Sequence, residues 1–341
     1  MWGFRRTPAR HGTGAGAALV PAALGTDPVL RAGCASVADG DLEAGLTLLA
    51  ETRGDPEARV YRVEALGRAA ADDPGGIAGL AAEEAGSGDA ARQADVLLWL
   101  GHALLAGALR RSGGGAPADR KGMEAALDEV RGPFEAAALL GTDDAAPWAG
   151  LQTVAMGLGA DRADKDRLWA ETTARAPHLF AAHMTRVRTL SSTRGGSAEE
   201  MFATAGAAAD SAPEGSPLPA VLALAHAEHL RAEERRLTGE GKSDFIVRMA
   251  LGRLHGEPVE ELFELARAWA GAAVPHVRDV QAHHLFGWAF HRAGLADPAR
   301  WHLAATDGYV CDLPWSFFGD ARAQAARAMA DLGLDPGRRP V

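Results

Sequence analysis

Apolar residues recur along this chain at helical rather than strand spacing, almost without interruption from Asp27 onward. After Asp55-Pro56, the residues Val60, Val63, Leu66 and Ala69 share one face by the i, i+3, i+4 rule of an amphipathic helix. Leu97, Leu100, Gly101, Leu104 and Leu105 do the same within a long segment from about Ala90 to Arg111. The punctuation agrees. Asp27-Pro28 and Asp55-Pro56 each put proline in a first turn behind a capping aspartate, while Asp39-Gly40-Asp41, Asp73-Pro74-Gly75 and Arg175-Ala176-Pro177 separate helices. The pattern predicts an all-α protein. Residues 1–26 lack any period and read as a mobile N-terminal leader, and the glycines and proline of 112–117 mark an insertion point between helices.

A longer period overlies the helical one. Phe134, Leu168 and Phe202 recur at intervals of 34 residues, each where the second helix of a hairpin needs a core anchor. Trp148, Leu151 and Ala155 open the hairpin before Leu168, and Pro177 closes it. Near the C-terminus, Phe286, Gly287, Phe290, Gly294, Ala299 and Leu303 form a similar unit, in which Gly287 and Ala299 let two helices touch. This spacing resembles the tetratricopeptide repeats. The resemblance implies an α-solenoid of degenerate helical hairpins with a concave groove, spanning 27–341 as one domain and ending in a capping helix near 320–333. Ala182, where an aromatic residue would open a repeat, and the stretch 217–252 depart from the pattern. Pro147-Trp148-Ala149-Gly150-Leu151, Ala176-Pro177-His178 and Leu313-Pro314-Trp315 are also similar to uncharacterised actinobacterial helical-repeat proteins, a likeness that implies a fold and no activity.

Composition narrows the function classes. Aromatic residues are 6% of the chain and Tyr occurs twice, so strand signals are sparse. A net charge of −10 repels a polyanionic backbone, and the short basic runs at Arg110-Arg111 and Arg231–Arg236 read as solvated helix faces, so no nucleic-acid partner is expected. No window approaches the roughly 20 apolar residues of a membrane span. Cys34 and Cys311 stand at opposite ends of the chain and suggest neither a disulfide framework nor a thiolate metal site. With the apolar part after Arg5-Arg6 broken by Pro21, the expected location is cytoplasmic.

Histidine carries the chemical lead, with ten of twelve lying between His178 and His302. The repeat register turns His183, His284, Trp288 and His291 toward the concave groove as contacts for a protein or peptide partner, and sends His102 and Thr153 to similar faces earlier in the chain. His226, His229 and Glu233 share one helical stripe and offer an alternative divalent-metal site, belonging to a rival reading of the chain as a helical enzyme or metal-dependent protein. No cofactor is expected otherwise. Gly239-Glu240-Gly241-Lys242-Ser243 follows a helix and has Arg236 in place of the first phosphate-loop glycine, the glycines of 12–16 have no strand before them, and Asp161, Asp164 and Asp166 stand at a helix start, where they cap. No catalytic constellation emerges. The sequence reads as an interaction or scaffold module.

Overall fold

The structure, a computed structural model, describes residues 19–22, 26–112 and 120–335. Most of the 1–26 leader, the glycine run at 12–16 and the 112–117 insertion point beyond Ser112 lie outside the described residues. The class is all-α. The helices run in order α1 (Pro28–Ala38), α2 (Leu42–Ala50), α3 (Pro56–Ala69), α4 (Gly75–Glu84), α5 (Ala90–Ser112), α6 (Arg120–Leu140), α7 (Ala146–Leu158) and α8 (Arg162–Arg175). They continue as α9 (Phe180–Thr189), α10 (Ala198–Asp210), α11 (Val221–Gly239), α12 (Asp244–Leu251), α13 (Glu257–Ala272), α14 (Asp279–Ala293), α15 (Ala296–Ala305) and α16 (Ala321–Asp331). Two short strands, β1 (Val20–Pro21) and β2 (Tyr309–Val310), pair in parallel with Val20 opposite Tyr309.

Local chemistry sets the helix limits. Asp27, Asp55, Asp161 and Asp320 each accept a backbone N–H in the first turn of the helix that follows, supplying a partner the helix itself cannot. Gly159 and Gly294 end α7 and α14 in the left-handed conformation that glycine adopts at no steric cost. The 34-residue anchors fall on α6, α8 and α10, the second member of each successive hairpin; Phe134 and Leu168 are buried and Phe202 packs against the core from its edge.

Packing proceeds along the chain, skipping one helix at a time as far as α11 and two helices after it. α1 touches α3, α3 touches α5, α5 touches α7, α7 touches α9, α9 touches α11, and α11 touches α14. Close approach is built in: a Cβ on Gly287 would lie 2.6 Å from the Leu303 side chain of α15, and one on Gly67 would lie 2.7 Å from the His102 backbone of α5. The row bends enough that α3 also meets α9. Its far end returns to its beginning through β1–β2, through a hydrogen bond from Arg31 to the Tyr309 hydroxyl, and through Arg278 paired with Glu64. Two apolar cores result, one from α1 to the start of α9 and the other from α9 to α16. Among the described residues, no helix is long and apolar enough to cross a membrane.

Candidate functional site

The four residues expected in a concave groove are not gathered into one. His284 is fully buried: its Nε2 lies 2.9 Å from the Tyr309 carbonyl oxygen, and its Nδ1 accepts the Trp315 indole N–H at 3.0 Å. Trp288, also buried, stacks on Phe318 with centroids 5.6 Å apart. His183 is buried against the edge of Trp169 and bonds the Pro177 carbonyl oxygen through Nε2 at 2.8 Å. Only His291 reaches solvent, where it sits 3.3 Å from Asp331. The physical reason is coverage. α11, α13 and α15 pack against α14, and β2 packs against it as well, while Trp315 and Phe318 of the following segment contact His284 and Trp288, so the part of α14 that carries these two residues has no open face to lend to a groove.

His283, His284 and His302 are core components. His283 and His302 meet Nδ1 to Nδ1 at 3.0 Å inside a shell of Trp269, Phe286, Phe290 and Trp301. Burial pushes His283 and His284 down to about 4 and His302 well below its ordinary value, with neighbouring His283 adding to the effect on His302. His226 and His229 both lean on the Phe202 ring, and Glu233 is engaged by Arg236, so this trio is dispersed among separate contacts. Among the described residues, no three His, Cys, Asp or Glu side chains gather closely enough to hold a metal ion.

A different set of residues forms a concave site. The inner stripes of α3, α5, α7 and α9 face one another across a cavity of about 380 Å³, and the start of α14 with the loop 311–316 closes the far side. Each helix contributes by its own periodicity: Tyr61, Glu64 and Arg68 from α3; His102, Leu105, Ala106 and Leu109 from α5; Gly150 and Thr153 from α7; Ala181, Met184, Thr185 and Arg188 from α9. His102 and Thr153 both line this cavity.

Charge is distributed unevenly around this cavity. Arg278 donates to Glu64 at 3.1 Å and lies 5.1 Å over the Tyr61 ring, which fixes the seam between the chain's two halves. Burial alone would raise Glu64, but Arg278 and Arg68 outweigh it and hold the carboxyl below its usual range. Burial pushes neighbouring Glu57 up to about 7 despite Arg278 and the Phe180 N–H, and pushes His102 down to about 4. Cys311 is driven up to about 12 by burial, so its thiol stays protonated and unreactive. On the opposite wall, Arg188 donates through Nε to Glu228 at 3.2 Å, and that buried carboxylate is shared with Arg194 and Arg231.

Sequence reasoning missed Glu64, Arg188 and Arg278. A signal existed for two of them: Glu64 interrupts the apolar run Val60, Val63, Leu66, and Arg188 interrupts Met184, Val187, Leu190. A charge inside such a stripe faces either solvent or a polar cavity. No protein-family model, curated protein or solved structure matches this chain.

Proposed function

We propose that this chain is a recognition module, a tetratricopeptide-like solenoid curled around its concave face, and that the half-open cavity there holds a small ligand or a short extended segment of a protein partner. One observation carries this reading: helices from both halves of the chain turn their inner stripes onto a single cavity of about 380 Å³, within the roughly 300–1,000 Å³ typical of ligand sites. The lining is mixed: Val60, Leu105 and Met184 give it apolar surface, and Glu64, Thr153 and Arg188 give it polar groups of the kind that orient a ligand.

The rival reading, a helical enzyme using residues 178–302, draws no support from histidines engaged in core contacts.

The test is gentle affinity purification of the full chain from its native cell, beside a Thr153→Trp variant that fills the cavity, with mass spectrometry for proteins and small molecules. A species retained by the native chain and lost from the variant is the expected result. A species retained equally by both would place binding elsewhere and overturn the reading.

A further inference from the structure

We infer that the cavity ligand carries an oxyanion, a carboxylate or a phosphate, on an apolar body, and that Arg188 receives the anionic group. This rests on the cavity being the binding site.

Arg188 stands on the cavity wall of α9 in line with Ala181, Met184 and Thr185. Its Nε is committed to Glu228, but among the described residues its two terminal nitrogens have no hydrogen-bond partner. They are not sealed in the protein either, since the side chain keeps 24% of its surface accessible. A guanidinium anchored at Nε presents its terminal N–H groups as a fixed fork, the geometry that meets carboxylate and phosphate oxygens two at a time. Glu228 does not neutralise it. That one carboxylate is shared by Arg188, Arg194 and Arg231, so three positive groups surround a single negative one.

The rest of the lining sharpens the choice. Arg278 already holds Glu64, which removes that carboxylate as a competing anion, and Asp312 sits at the exposed rim. Thr153 and Thr185 add hydroxyls near the fork's own helix and its neighbour, while Leu105, Met184 and Val280 supply apolar wall. Because these donors reach solvent, an entering oxyanion displaces water from them and breaks no protein contact. An oxyanion supplies the missing acceptors, and an apolar body covers the remaining surface.

Octanoate, octyl phosphate and octanol serve as probes, titrated calorimetrically into the full-length protein and into Arg188→Met, Arg188→Lys and Thr153→Trp, with melting curves to check each fold. At least one anion should bind about tenfold or more tightly than octanol, in keeping with charge-assisted hydrogen bonds. Arg188→Met should bring that anion to the level of octanol, and Arg188→Lys, which keeps charge without the fork, should fall between. The stronger of the two anions identifies the head group. Octanol binding as tightly as the anions, or anion binding unchanged in Arg188→Met, would overturn the inference while leaving the cavity as the site, provided Thr153→Trp still abolishes binding. Binding that survives Thr153→Trp, or no binding of any probe, would remove both.

Discussion

The core of α1–α8 and the aromatic core around α13–α16 bury polar groups in opposite ways. In the first, Arg59 is sealed among helices and donates to Asp95 at 2.7 Å and to Asp144 at 2.6 Å, so the interior holds ions in matched pairs. In the second, His283, His284 and His302 lie among Trp269, Phe286, Phe290 and Trp315 as neutral rings bonded to one another, to an indole and to a carbonyl. The difference teaches where pH enters. Paired ions keep their charges near neutrality, whereas a neutral imidazole must resist protonation, and here it does so chiefly through burial, with neighbouring imidazoles adding to the effect on His283 and His302.

The largest effect should come from breaking the ionic core. Arg59→Met leaves Asp95 and Asp144 without a shared guanidinium, and removing one partner of a buried pair costs about 3–5 kcal/mol. A loss of that size in urea unfolding is expected; a loss under about 1 kcal/mol would mean Arg53, which also holds Asp95, suffices. The aromatic core should yield next, to acid rather than to mutation. His283 and His284 have folded values near 4 against about 6.5 when unfolded, so the unfolded chain binds more protons between those limits. Stability is complete above pH ~6.5 and falls as pH drops toward 4, by roughly 2 kcal/mol per ring at pH 5. His283→Phe should flatten that slope, measured as denaturation midpoints at pH 7 and pH 5.

Glu57 sharpens the contrast with the opposite sign. Its raised value of about 7 means the folded chain binds more protons between pH ~4.5 and 7, so its contribution is present below that window and lost as pH rises through 7. Glu57→Gln should remove this loss between pH ~4.5 and 7 while keeping an oxygen for the Phe180 N–H. A smaller effect tests packing. Gly287→Ala would force a methyl to within 2.6 Å of Leu303, and such overpacking costs about 1–3 kcal/mol. The smallest belongs to the surface: Arg267→Ala breaks an exposed pair with Glu264 and should leave the melting temperature unchanged within error.

What the sequence could disclose follows from the range of each interaction. Helix starts at Asp27, Asp55, Asp161 and Asp320, and the contact of Gly287 with Leu303, depend on residues within a few turns of one another, and all were legible. The all-α class came from the same local periodicity. The site was less accessible because its decisive contacts span the chain: Glu64 meets Arg278 across 214 residues, and Arg59 meets Asp144 across 85. Asp144 illustrates the limit, since one oxygen accepts the Ala146 N–H at the start of α7, a contact two residues long, while the other closes an ion pair with buried Arg59. The repeat register alone turns His284 and Trp288 toward a concave groove, and it carries no information about Trp315 and Phe318 folding over them.

The central claim is that the histidine-rich half builds core while the cavity binds. Histidine ring nitrogen NMR on the full chain tests it most directly, followed from pH 8 to pH 5. The account predicts that His284 stays neutral throughout, with its proton on Nε2 toward Tyr309 and Nδ1 accepting from Trp315, and that His283 and His302 share one proton between their Nδ1 atoms. Titration of these three rings near pH 6.5, in the native state, would contradict it and return them to the surface as candidate contacts.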